Sequence, residues 1–525
     1  MTKKKIGIYI LLFAIIVAGF SLRFFNIENT PPGVYPDEAV NAFDAITANE
    51  TGHYQMFYPA NNGREGLFMN LIAFCFKFFG ISVLTLRLPA ILSGTLTILG
   101  IYLLTKELFT PFFTENRRER IAIIAAYFVA VSYWAINFSR ISFRANLLPL
   151  DLVFAFYFLF KGVRTKRYSD FIIGGLIFGI GIHTYIAFRI APAILVVMLI
   201  SFIISRENFL KNYWKQILVF AIFTTIAVLP MLYTFYVHPE YFVSRSASIS
   251  VLSPEVNNGH PLQALLRSFG LSLVMFNFWG DQNWRHNFPP YPNLDIISGT
   301  AFLFGIIYCF IRLFHLFFLR IKQKIRNEKM DLYVFLIVWF FIMLSPEFLT
   351  SEGLPHSLRA IGVLPVVFIF SAIAIDYIFE HIQKYTPTMK KTLSSITILI
   401  LISVGIFNGI KYHVFWANRT EAADAFEKPL MDVSAYLKTL PPEKEKFVIA
   451  ENMQRIPIQV FNWRMPNLNF VYSGQVEYLE PKTNNFIIIF TDKNDEAINY
   501  LENKFPALHF SEIKDSFGLS FYILQ

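Results

Sequence analysis

Apolar stretches of roughly 17 to 23 residues recur along this chain, separated by short basic clusters, and each matches the length a helix needs to cross a hydrocarbon core about 30 Å thick. No other feature constrains the fold as strongly, because such segments can bury themselves only as a bundle of spanning helices. Expected spans fall near 6–22, 86–105, 121–138, 147–161, 171–188, 190–205, 216–236, 296–318, 332–349, 358–379 and 392–411. Composition agrees: of 525 residues, 55% are hydrophobic and only 16% charged, too few ions to coat a soluble surface. The fold class expected is therefore an all-α polytopic membrane bundle with about 11 transmembrane helices.

In a soluble protein the net charge of +9 would point to nucleic acid. Here the cations gather in short loops: Lys3 to Lys5, Lys106 to Arg120, Lys161 to Arg167, Arg206 to Lys215, Arg320 to Lys329 and Lys384 to Lys391. The positive-inside rule assigns those loops to the cytoplasm, so the basic balance reports orientation in a plasma membrane and implies no nucleic-acid partner. With a cytoplasmic N-terminus, an odd number of crossings leaves the C-terminus outside the cell. The opening Met-Thr-Lys-Lys-Lys has the look of a signal peptide, but no small-residue cleavage site precedes Arg23, and the segment is expected to stay as the first helix. Cys75 and Cys309 both sit inside apolar segments and are expected to serve as packing residues.

Residues 67–79 are apolar but too short to cross, and they contain Lys77; crossing there would turn every later basic loop outward. They are expected to form a helix that lies along the outer interface or is partly re-entrant. The membrane domain then covers 1–411, with outer loops at 23–85 and 237–295. From about 412 to 525 the chain turns polar, with strand-like runs such as Phe447-Val-Ile-Ala450 and Phe486-Ile-Ile-Ile-Phe490, which predicts a small extracytoplasmic α/β domain. Its role is acceptor contact, cover of the active site, or a passive structural cap.

The first outer loop carries a proline-constrained turn before Asp37-Glu38, then Asn61-Asn-Gly-Arg64-Glu65 leading into the interfacial segment. A carboxylate at headgroup depth could take a proton from an acceptor hydroxyl, and a second could orient the acceptor or a divalent metal. Singly, each acid is more simply a solvated loop residue. Cations recur at the same end of other spans: Arg140 and Arg144, His183 with Tyr185 and Arg189, Arg285 with His286, and His356 with Arg359. Any one of these could be a snorkelling side chain or a satisfied interfacial histidine. Together, planar guanidinium forks at one interface suit the oxygens of a phosphate. Trp279, Trp284 and Tyr291 could stack on a sugar or belong to the aromatic belt.

The Asp37-Glu38-Ala motif, the Gly63-Arg-Glu65-Gly-Leu67 segment running into Phe79-Gly80-Ile-Ser, and Leu86-Arg87-Leu-Pro89-Ala-Ile-Leu-Ser-Gly94 resemble, in order and spacing, the integral-membrane GT-C glycosyltransferases. The likeness is to the superfamily of protein O-mannosyltransferases and lipid A aminoarabinose transferases, and it covers residues 1–110 most fully. Glu65 is followed by Gly66 where many relatives have Lys-Pro or Pro. The resemblance implies juxtamembrane helices in the first outer loop, a polyprenyl-phosphate sugar as donor, Asp37 as catalytic base and Glu65 as a second acid of the donor or metal site. Glu38 is included among the candidate catalytic acids.

The expected function is then transfer of a sugar, with inversion, to a hydroxyl of a protein, lipid or cell-surface glycan at the outer membrane face. The donor phosphate would be held by Arg144, His183, Tyr185, Arg189, Arg285, His286, His356 and Arg359. No cofactor is required by this reading, although Asp37 and Glu65 leave room for a divalent metal. A lipid-linked glycan transporter or a non-catalytic assembly factor is the alternative; a transporter is expected to show internal repeats, broken helix pairs or mid-membrane charges. No such repeat is evident in the sequence.

Overall fold

The computed structural model of the chain describes residues 3–61, 63–243, 250–251, 253–257, 259–351 and 353–525. Part of the expected outer loop 237–295, namely 244–249, 252 and 258, lies outside the described residues. The chain begins with α1 (Lys3–Phe24), followed by two helices of the first loop, α2 (Pro36–Thr51) and α3 (Leu67–Phe79). Between them a two-residue antiparallel ladder, β1 (Phe57–Tyr58) on β2 (Arg64–Glu65), holds Glu65 opposite Phe57. There follow α4 (Val83–Phe109), α5 (Glu115–Val131), α6 (Tyr133–Phe138), α7 (Leu147–Thr165), α8 (Tyr168–Ile180), α9 (Pro192–Ser205) and α10 (Phe209–Val237). After the short turns α11 (Glu240–Val243) and α12 (Pro254–Asn257), α13 (Pro261–Val274) lies in the long loop. The membrane domain closes with α14 (Ile296–Gln323), α15 (Lys329–Phe348), α16 (Leu364–Ile382) and α17 (Pro387–Ile410).

Nine helices among the described residues are long and apolar enough to cross a membrane. The two expected spans not among them, 121–138 and 171–188, are helical as well but interrupted. The first is divided at Ser132 between α5 and α6, and α8 gives way at Gly181 to single 3-10 turns. The interfacial segment forms α3 over residues 67–79, and the juxtamembrane helices implied by the resemblance are α2 and α3.

Close helix contact depends on small residues, as expected where lipid removes the hydrophobic drive between helices. A Cβ on Gly305 of α14 would lie 1.9 Å from the Phe370 carbonyl of α16, and one on Gly175 of α8 would lie 2.5 Å from the Phe220 carbonyl of α10. Cys309 and Cys75 are buried free thiols, packed in α14 and α3.

Several cations of the basic loops, at the end of the bundle away from Asp37, pair with acids of neighbouring helices. Arg117 and Arg120 converge on Asp376 and Glu380, Arg164 pairs with Glu107, Lys161 lies 2.9 Å from Asp170, and Arg206 lies 2.9 Å from Asp331. Partly buried pairs of this kind bind neighbouring helix ends to one another.

After α17 the chain enters a separate layer. α18 (Thr420–Ala425), α19 (Lys428–Thr439), β3 (Glu445–Ile449), α20 (Asn452–Phe461), β4 (Leu468–Val471), β5 (Phe486–Phe490), α21 (Asp495–Lys504), β6 (Phe510–Lys514) and β7 (Ser520–Leu524) build a five-stranded sheet in the order β4-β3-β5-β7-β6. β3 runs parallel to β4 and β5, and β7 antiparallel to β5 and β6. Alternate strand residues go to opposite faces. Val448, Ile487 and Ile489 meet α19 and α20, whereas Phe447, Ile488 and Phe490 meet α21.

The layer rests on the first loop. Val460 and Phe461 of α20 share a core with Val34, Ala42, Ile46 and Phe68, the Trp463 ring meets Phe43 edge-on at 5.8 Å, and Arg464 pairs with Glu50 at 2.7 Å. At Gly33 the backbone takes φ +94°, and a Cβ there would come within 2.5 Å of the Phe426 carbonyl. Only glycine combines that conformation with that approach.

Candidate active site

The first turn of α2 separates its two acids. Successive helix residues point about 100° apart, so Asp37 and Glu38 cannot face the same way. Glu38 turns inward and is fully buried, gripped by Arg87 of α4 through Nε to Oε2 and Nη2 to Oε1, both 3.1 Å, while the Ser142 amide donates to it at 2.7 Å. Arg87 also donates to the carbonyls of Ile27 and Gly33. This ion pair ties the first loop, α4 and the α6–α7 connection into one body, and it removes Glu38 from the expected catalytic set: its oxygens are occupied and out of reach of a substrate. Arg140 has a similar task, donating to the carbonyls of Leu22, Arg23, Phe25 and Thr30 where α1 ends.

Asp37 turns outward into a cavity of about 260 Å³ at the end of the bundle covered by the sheet layer. It stands at the N-terminus of α2, where the helix dipole favours a negative charge, and its Oδ1 accepts from Asn61 Nδ2 at 2.9 Å. Arg64, Arg144, Arg285 and Arg359 line the same cavity, together with His286 and His356. Among the described residues lining the cavity, Asp37 is the single carboxylate.

Each cation is held by its own framework. Arg144 lies 2.7 Å from Glu65 through Nε and over the Tyr185 ring at 5.5 Å. Arg64 pairs with Asp44 at 2.6 Å and donates to Asn41 Oδ1 at 2.8 Å; burial raises the Asp44 carboxyl and lowers the Arg64 guanidinium from their ordinary values, each against the pull of its partner. Arg285 covers the Tyr35 ring at 3.7 Å. Burial raises the Tyr35 phenol despite that guanidinium. Arg359 donates to Thr350 Oγ1 at 2.8 Å.

Of the candidates drawn from the sequence, Asp37, Arg144, Tyr185, Arg285, His286, His356 and Arg359 line this one cavity. Glu65 is buried behind it, fixing Arg144. His183 and Arg189 are placed elsewhere: His183 Nε2 donates to the Ala227 carbonyl at 2.9 Å, and Arg189 donates to the Phe242 carbonyl and lies over the Phe235 and Phe242 rings. Arg189 belongs to a second, more apolar cavity of about 410 Å³, lined by Ile186, Ile190, Pro346 and Leu349, which shares Tyr185 and Arg359 with the first. Arg64, Asn61 and Tyr35 are additions the sequence reading passed over; their only signal was adjacency to the two acidic motifs.

Of the two acids that left room for a divalent metal, Glu65 pairs with Arg144 and Asp37 accepts from the Asn61 amide. Asp281, His286 and His356 do bring three donor atoms within 4.8 Å of one another. Both Asp281 oxygens are occupied, however: Oδ1 accepts the Asn283 amide at 2.8 Å, and Oδ2 accepts the Ser357 amide at 2.7 Å and His286 Nδ1 at 3.2 Å. Four arginines line the cavity, donors of the kind that suit anion oxygens.

Residues 67–234 match the sequence model of the dolichyl-phosphate-mannose-protein mannosyltransferase family. YkcB of Bacillus subtilis (strain 168), provisionally named a mannosyltransferase, is 26% identical over an alignment of 215 residues that covers 38% of this chain and 28% of that protein. Among solved structures, ArnT from Cupriavidus metallidurans bound to undecaprenyl phosphate superposes with a TM-score of 0.55 at 11% identity, covering 98% of this chain and 97% of that one. The archaeal oligosaccharyltransferase AglB from Archaeoglobus fulgidus, in complex with an inhibitory peptide and a dolichol-phosphate, gives 0.53 at 16% identity, covering 89% of this chain and 65% of that one. Residues 67–234 thus resemble that mannosyltransferase family in sequence, and the chain shares the fold of ArnT and AglB, a multi-pass membrane architecture with nine apolar helices of spanning length among the described residues.

Proposed function

We propose that the chain transfers a sugar from a polyprenyl-phosphate carrier to an acceptor hydroxyl at the outer face of the membrane, with Asp37 as general base. The observation that carries this reading is one carboxylate facing a wall of arginines and histidines in a single cavity. Asp37 accepts the proton of the acceptor hydroxyl as its oxygen attacks the anomeric carbon. Arg144, Arg285 and Arg359 take up the charge that develops on the departing lipid phosphate; donors already aimed at the position where charge appears lower the barrier without reorganising. The adjoining apolar cavity, reached past Tyr185 and Arg359, suits the first isoprene units of the lipid. ArnT and AglB were solved with a polyprenyl phosphate of this kind, which supports the choice of donor.

A single displacement inverts the anomeric centre, whereas retention through a covalent intermediate calls for a second carboxylate as nucleophile. Asp37 is the one carboxylate among the described residues that line the cavity, so inversion is the outcome the reading requires. A base is worth roughly 10²- to 10⁴-fold in rate, so Asp37→Asn is expected to cut transfer of labelled sugar into a cell-envelope extract by at least about 10²-fold, with membrane insertion unchanged. Transfer that survives in this variant removes Asp37 from the mechanism.

A further inference from the structure

Asp281 is buried and has no place in the mechanism above, yet three groups converge on its carboxylate. The Asn283 amide reaches Oδ1, and the Ser357 amide and His286 Nδ1 reach Oδ2. Because Nδ1 is committed to the carboxylate, Nε2 is the ring nitrogen left for a ligand in the cavity that His286 lines. The ring is fixed from its other sides by Phe138 at 5.7 Å, Phe143 at 6.2 Å and His356 at 4.6 Å between centroids. A carboxylate on one nitrogen orients the ring and directs the far nitrogen to the ligand side.

We propose that Asp281 is a positioning residue that holds His286 as the proton donor to the departing lipid phosphate. The inference rests on the sugar-transfer reading above. As the acceptor oxygen bonds to the anomeric carbon, its proton goes to Asp37. The bond from that carbon to the bridging phosphate oxygen breaks with its electron pair on the oxygen, and His286 Nε2 delivers a proton there. The lipid phosphate leaves as a monoanion, His286 is left neutral, and the proton on Asp37 passes to water while His286 regains one. The arginines grip the phosphate but do not serve as proton donors at neutral pH, because guanidinium holds its protons too firmly. A histidine supplies the step they cannot.

The test is a double-mutant cycle on the purified full chain, with undecaprenyl-phosphate mannose, glucose and galactose as donors and an envelope extract as acceptor. Asp281→Asn and His286→Gln are each expected to lower kcat about 10- to 100-fold with the donor KM changed less than about twofold. If Asp281 acts through His286, the double variant is no slower than His286→Gln alone. Should Asp281→Asn aggregate in detergent, Asp281→Glu takes its place in the cycle. Multiplying losses, a defect confined to KM, or a tightly bound metal ion that D281N releases overturns the proposal and leaves the sugar-transfer reading standing. A wild-type chain that uses none of the three donors removes both.

Discussion

At the scale of single residues, the separation of Asp37 from Glu38 decides what the first acidic motif does. Adjacent in sequence, one carboxylate meets the cavity and its neighbour is sealed beneath Arg87. The pair with Arg87 is fully buried on both sides, so removing the cation leaves a buried carboxylate without its counter-ion. Arg87→Ala is expected to cost about 3–5 kcal/mol of stability, read as a lowered unfolding temperature in detergent, whereas Asp37→Asn should leave that temperature nearly unchanged. Sequence alone could not divide the two acids, because both lie within one turn and only the packing of α4 against α2 shows which side is buried. The same limit explains His183 and Arg189, which the sequence brings to the correct end of their helices but not to the cavity. Side-chain direction around a helix is set by its neighbours, and those are non-local.

At the scale of elements, the spans were legible because a hydrocarbon core sets a minimum apolar length, and α3 was legible because it falls short of that length and contains Lys77. The breaks at Ser132 and Gly181 were not, since apolar periodicity runs through them. In the sheet layer, β3 and β5 read as strands from their β-branched and aromatic runs because they occupy the buried centre, while edge strands such as β6 carry too many polar residues to stand out. Helix contact at glycine is the element-level feature most open to test. Gly305→Leu places atoms where the Phe370 carbonyl stands, so α14 and α16 must separate. Overpacking of this kind is expected to destabilise by about 1–3 kcal/mol, measured by thermal unfolding in detergent, with no direct effect on residues of the cavity.

At the scale of the whole molecule, every group that lines the cavity comes from a connection at one end of the bundle, and the basic loops close the other. The proposed orientation follows from that division and the positive-inside rule. After replacement of Cys75 and Cys309, a cysteine at the exposed Tyr478 of the sheet layer should react with a membrane-impermeant thiol reagent on intact cells. One at Lys324, in the opposite loop, should react only after permeabilisation. Labelling in the reverse pattern overturns the outer placement of the cavity. The sheet layer itself sits on α2, with Val460, Phe461 and Trp463 against the helix whose first turn carries Asp37, and with the backbone of Phe426 and Lys428 pressed onto Gly33. The last hundred residues are therefore a splint for the helix that carries Asp37 rather than a detachable module, and, if Asp37 acts as proposed, cutting them away is expected to show first as lost turnover in a protein still threaded through its bilayer.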